Sequence, residues 1–187
     1  MTTSNEEQLA GLSSKSLDYI EQYKLMHKSG YTGRYEISPT YSKREHLLAT
    51  FEKHAPDAKS LLDYGCAAGN HWTEFDLKGF LGIEKVTLYD PAVEKYSQRP
   101  TETSDIVICI DVMEHIPEED IDWVIEDILN HANTFVYFRV EFAPAHALLP
   151  SGENAHVTVR PFNWWKERIA QHSREGLIIE VNNTIVS

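Results

Sequence analysis

The sequence predicts an α/β fold, a mostly parallel sheet layered between helices, and three observations carry that expectation. Short apolar runs recur along the chain and end abruptly in glycine or aspartate, as strands do when they break into loops. Between them lie stretches whose apolar residues return every three or four positions, the spacing of one helical face. The run Asp105-Ile106-Val107-Ile108-Cys109-Ile110 is almost continuously β-branched, which suits a parallel strand buried on both faces. Strands alternating with helices in this way give a right-handed parallel sandwich.

In chain order, residues 1–12 are polar and expected to fray, after which Leu17, Ile20, Leu25 and Met26 carry helical spacing on a segment starting near Ser13 or Ser14. Gly30 to Tyr35 reads as a flexible, aromatic-rich connection, and Pro39 can begin a second helix through Leu47, Leu48 and Phe51 to about His54. Lys59 to Tyr64 is the first strand, a short helix follows Gly69, and Val86 to Tyr89 is the second strand. Asp105–Ile110 follows, then a helix from Glu118 to about His131 whose opening acids suit a helix N-terminus. Thr134–Val140 is a strand, the stretch Arg160 to Trp165 leads into a helix to about Arg174, Leu177–Val181 is a strand, and Asn182-Asn183 can turn into an edge strand at Thr184–Val186.

The first strand breaks into Asp63-Tyr64-Gly65-Cys66-Ala67-Ala68-Gly69. Small residues there let backbone N–H groups approach a polar ligand, and the adjacent carboxylate suits hydroxyl or amino groups rather than phosphate. Ala68 and Asn70 stand where a dinucleotide fingerprint or a Walker loop needs other residues. The second strand ends at Asp90-Pro91, 27 residues after Asp63, and a carboxylate has two acceptor oxygens for two adjacent hydroxyls. The third tip reads Asp111-Val112-Met113-Glu114-His115-Ile116-Pro117.

These three segments, in this order, resemble class I S-adenosylmethionine-dependent methyltransferases, whose first motif is Asp/Glu-x-Gly-x-Gly-x-Gly and whose post-strand motif reads roughly Asp-Val-Leu-Glu-His-Ile-Pro. Ala67 replaces the middle glycine. The resemblance implies a Rossmann-like three-layer sandwich with S-adenosylmethionine held by Asp63, Tyr64, Gly65, Cys66, Ala67, Gly69, Asp90, Pro91, Asp111 and Val112. Ala92 to Ser104 is too short and too polar for the helix and third strand that the family places there, so a shortened or missing third strand is expected beside the N-terminal helices. The loop that usually contacts adenine therefore yields no named residue.

Methyl transfer is an in-line displacement that asks the protein for alignment and, where required, removal of a proton. His115 and His156 are the candidate bases, with Glu114 and Asp111 able to tune them. Asp111, Glu114, His115 and His156 also look like the cation ligands of ubiquinone-biosynthesis and small-RNA 3′-end methyltransferases, with Asp111 in place of a glutamate; relatives with this motif commonly bind no metal, and none is assigned. The 145–165 region resembles uncharacterised bacterial and phage methyltransferase-like proteins carrying Leu-Pro-x-Gly-x-Asn-Ala-His and Arg-Pro-x-x-Trp-Trp. Arg160, Trp164 and Trp165 are expected to line an acceptor pocket, an aromatic pair beside a cation suiting a flat or anionic molecule.

A length of 187 residues and a formal charge of −12 frame these expectations. One methyltransferase domain is expected, with a helical cap over residues 1–56 and the core over 57–187. The charge repels nucleic acid and anionic membranes, and Arg139, Arg160, Lys166, Arg168 and Arg174 are too scattered for a basic patch. Cys66 and Cys109 read as buried thiols in a reducing cytoplasm; neither a signal peptide nor a membrane-spanning run is visible. The expected activity is methyl transfer to oxygen or nitrogen of a small molecule or sugar. Alternatives are a non-catalytic S-adenosylmethionine-binding protein, an enzyme that cleaves the cofactor, and a metal-dependent RNA-end methyltransferase.

Overall fold

The computed structural model describes residues 9–30, 41–74 and 76–186. Helix α1 spans Ser14–Lys28 and α2 Tyr41–His54; β1 is Ser60–Tyr64, and the short helices α3, Asn70–Glu74, and α4, Leu77–Phe80, lead to β2, Lys85–Tyr89. Strand β3, Ser104–Ile110, is followed by α5, Ile121–Asn130, then β4, Ala132–Arg139, and α6, Phe162–Ala170. A hairpin of β5, Ile178–Val181, and β6, Thr184–Val186, ends the described chain. Tyr31, Tyr35 and Pro39 fall outside the described residues.

The strands form one six-stranded sheet in the order β2-β1-β3-β4-β5-β6. Every pair is parallel except the terminal hairpin. Asn182 and Asn183 make that hairpin's two-residue turn at φ of 45° and 69°, the left-handed angles this tight turn requires and asparagine tolerates. Residues Ile106, Val107, Ile108 and Cys109 in β3 are each 0% exposed, as the β-branched run predicts. Side chains alternate across the sheet. Ile106, Ile108, Phe135 and Tyr137 pack with Leu47 and Phe51 of α2 and Leu77 of α4, while Val107, Cys109, Val136 and Phe138 pack with α5 and α6. Cys66 and Cys109 are both free and buried.

The expected gap in the sheet is there: between β2 and β3 the chain makes only a single 3-10 turn, Glu94–Tyr96, and β2 borders the sheet. The 90–104 segment is tied down instead by Arg99, which pairs with buried Asp127 of α5 and lies 5.5 Å from the Trp123 ring. Two helix boundaries differ from the sequence reading by three residues or more. Glu118–Asp120 forms a separate 3-10 turn before α5, because the Asp120 side chain serves α1 rather than its own helix. It accepts from the Ser13 hydroxyl and the Ser16 hydroxyl at 2.5 Å each, and Ser13 in turn caps α1 by accepting from the Ser16 N–H. Helix α6 stops at Ala170 rather than near Arg174, where His172 turns back to Asp122 of α5 at 3.1 Å.

Candidate functional site

A cavity of about 730 Å³ opens beyond the carboxyl ends of β1, β2 and β3. Ligands gather at these ends in open α/β sheets because successive helices leave on opposite faces and part the loops. Helix α1 and the 143–147 segment supply the remaining walls.

The first loop is shaped by backbone geometry. Gly65 has φ +84°, and a Cβ there would meet Val112 Cγ2 at 2.3 Å, so only glycine fits between the tips of β1 and β3. Gly65 and Cys66 both donate to the Tyr89 carbonyl, at 2.7 and 3.1 Å. Ala67 adopts φ +48°, a left-handed angle that costs a non-glycine residue about 1–2 kcal/mol and explains why the related motif prefers glycine at this place. The strain is held by Asp90, whose Oδ2 accepts from Ala67 N–H at 2.8 Å while Oδ1 accepts from Ala92 N–H at 2.9 Å. Each oxygen keeps a lone pair for a ligand hydroxyl.

Asp63 is buried and accepts from the Trp72 indole at 2.7 Å. Burial pushes its carboxyl up to about 7, against the opposing Trp72 hydrogen bond and with a further push from Asp90. The indole partner escaped the sequence reading; an aromatic donor nine residues on, in the helix that folds back over the loop, is the signal. Burial likewise raises Asp90. Tyr64, Pro91 and Val112 also line the cavity.

At the third tip Asp111 has φ +53° and its side chain turns to Arg139, with Nη1 3.2 and 3.1 Å from the two carboxylate oxygens. Glu114 is 0% exposed; its Oε1 accepts from Glu141 N–H at 3.1 Å, and Oε2 has no partner among the described residues. Burial, reinforced by Asp111, raises its carboxyl to about 8. His115 is pushed down to about 4 by burial and by the neighbouring His156. The His156 Nδ1 lies 2.5 Å from the Ala143 carbonyl, and the two imidazoles meet edge to face at 4.8 Å between centroids. Glu114, His115 and His156 bring one ligand atom each within 4.8 Å of one another; Asp111 is not part of that group.

The structure thus gathers every sequence-predicted cofactor and catalytic residue at one cavity, but not the expected acceptor residues. Trp165 is fully buried in the core between sheet and helices. Trp164 lies on the other side, between the guanidinium groups of Arg160 and Arg168 at 5.9 and 5.7 Å, and Arg160 pairs with Glu118. The aromatic pair follows the amphipathic face of α6, one member inward and one outward, so its spacing reports packing rather than a pocket. The residues missed from sequence come from α1, where Tyr19, Tyr23 and His27 face the cavity.

Residues 35–174 match a family described as a methyltransferase domain. Among solved structures, an amino pentose methyltransferase from Micromonospora echinaspora involved in calicheamicin biosynthesis, with its cofactor bound, aligns with a TM-score of 0.36 at 18% identity, over 58% of this chain and 52% of its own. A sugar N-methyltransferase from Streptoalloteichus sp ATCC 53650 aligns with a TM-score of 0.41 at 17% identity, over 57% of this chain and 49% of its own. The chain therefore spans about half the length of these two structures. No curated protein matches it in sequence.

Proposed function

Because the chain belongs to the class I S-adenosylmethionine-dependent methyltransferases through its methyltransferase domain over residues 35–174, we propose that it moves the methyl group of S-adenosylmethionine to oxygen or nitrogen of a small molecule or sugar. The observation that carries this reading is the cavity's wall. The acidic side chains of Asp63, Asp90, Asp111, Glu114 and Glu141 line it, and among the described residues no lysine or arginine does; burial holds Asp63 and Glu114 partly protonated at neutral pH, so the wall offers acceptors to hydroxyl and amino groups and no cationic side chain to a phosphate. Its volume of about 730 Å³ lies in the range of pockets that enclose a small-molecule ligand.

The residues fit the cofactor's functional groups. Asp90, already anchored by two N–H groups, would take the ribose hydroxyls; Asp63 would take the amino group; the Gly65–Gly69 loop would lie against the nucleoside where no side chain intrudes. Bound S-adenosylmethionine supplies an electrophilic methyl group, and the rest falls to the chain. His115, neutral at physiological pH because its pKa is pushed down to about 4, is available to accept the acceptor's proton, and His156 packs edge to face against it. The Ala155 and Ala143 carbonyls, each within hydrogen-bond distance of an Nδ1, orient the pair. Burial of these groups under α1 keeps water from competing with the acceptor.

A second reading adds a divalent cation. The orphaned Glu114 Oε2 and two imidazoles whose Nδ1 atoms are engaged by backbone carbonyls form a mixed oxygen and nitrogen donor set suited to zinc or manganese. Such an ion would acidify an acceptor hydroxyl.

Calorimetric titration of the chain with S-adenosylmethionine tests the first reading, and Asp90→Ala is expected to weaken binding at least 100-fold. Incubation with methyl-labelled cofactor and a metabolite pool then reads transfer. No affinity for the cofactor in the wild-type chain would overturn the proposal.

A further inference from the structure

The Tyr23 hydroxyl sits where α1, the turn after β3 and the segment before His156 converge. It lies 2.7 Å from His115 Nδ1 and donates to the Ala155 carbonyl at 2.8 Å. The same carbonyl is 2.9 Å from Nδ1. Three polar atoms in mutual contact thus share the available protons, and the carbonyl can only accept. If Nδ1 were unprotonated, its lone pair would oppose the carbonyl's lone pairs at hydrogen-bond distance. With the proton on Nδ1, every contact becomes a donor meeting an acceptor: the phenol donates to Ala155, and the imidazole donates to the phenol and carbonyl oxygens. The basic nitrogen of neutral His115 is then Nε2, which makes no hydrogen bond among the described residues.

We propose that Tyr23 is a positioning residue of the methyl-transfer site: its hydroxyl holds His115 as the Nδ1–H tautomer and, by gripping Ala155, fixes the backbone beside His156. Ring contacts reinforce the hydroxyl. Tyr23 stands edge-on to His115 at 5.4 Å and 89°, and His115 stands edge-on to His156 at 4.8 Å and 84°, so neither imidazole can turn without displacing its neighbour. Asp120 at the start of α5 holds the other end of α1 through Ser13 and Ser16. Docking of α1 therefore brings the Tyr23 hydroxyl to His115. The inference rests on the reading of His115 as base, but it concerns the protonation site of a ring, which can be read without turnover.

The experiment is long-range ¹H–¹⁵N correlation on the full chain labelled with ¹⁵N-histidine, with His115 assigned by its loss in His115→Asn. In the wild type, His115 is expected to carry its proton on Nδ1. Tyr23→Phe keeps the ring and deletes the hydroxyl; the expected result is an Nε2–H population at His115. Tyr19→Phe is the control: it lies on the same helix, its hydroxyl bonds Glu153 at 3.2 Å, and it is expected to leave the His115 signals in place. A wild-type His115 protonated on Nε2 overturns the inference whatever the variants do. So does a Tyr23→Phe spectrum unchanged from wild type, or an equal change in both variants.

Discussion

Replacing Asp63 by asparagine separates the stability cost of that carboxylate from its use. Its pKa is about 7 in the fold against 3.8 in a model compound. The folded chain therefore holds a proton that the unfolded chain has released, and stability falls as pH rises from about 4 to about 7. Each pH interval in that window costs about 1.4 kcal/mol, up to about 4 kcal/mol in total. Asparagine keeps an oxygen for the Trp72 indole but never ionises. Urea unfolding of the ligand-free chain at several pH values reads the difference. The advantage of Asp63→Asn over wild type is expected to grow by about 2–3 kcal/mol between pH 5 and pH 8, because contributions from groups that do not interact with Asp63 cancel in the comparison. Cofactor affinity is expected to move the other way, since the amide cannot neutralise an ammonium group. A stability difference that stays constant across that pH range would refute the burial reasoning.

Gly65→Ala drives a Cβ into Val112 at a left-handed backbone angle, and a loss of about 2–4 kcal/mol is expected, with Val112→Ala restoring part of it in thermal unfolding; a neutral single variant would show that the tips of β1 and β3 are not in tight contact. Asp120→Ala removes the hydroxyl bonds of Ser13 and Ser16. Amide exchange is expected to quicken across residues 14–28 while β3 and β4 stay protected, because a helix held by few contacts opens locally; uniform acceleration would refute the view of Asp120 as a local anchor.

Much of this architecture could be read from residues whose meaning is local. Ile106 to Cys109 announced a strand buried on both faces, and the polar 92–104 stretch announced the absence of a strand, because neither depends on distant partners. The three tips were legible for the same reason: a small-residue break and a carboxylate are written contiguously. What escaped is long-range. Nothing near Tyr23 reveals that its hydroxyl meets His115, 92 positions away, and nothing near Asp120 reveals that it caps a helix more than 100 positions earlier. Trp164 and Trp165 misled because adjacent aromatic residues on a helix divide between core and surface, which only the packing of α6 on α5 decides. Asp111 lines the cavity as its position implied, yet its charge is spent on Arg139, a partner on the neighbouring strand.

A sheet that stops at β2 leaves a row of main-chain donors and acceptors at its border, the kind of template on which a foreign strand can dock. Here that border is only five residues long, and it begins with Lys85, drawn toward Glu102 at 2.5 Å. A strand approaching from outside would have to strip water from that ion pair before it gained a single backbone bond. The shortened sheet thus ends on a charged side chain, one lysine at the head of its border strand.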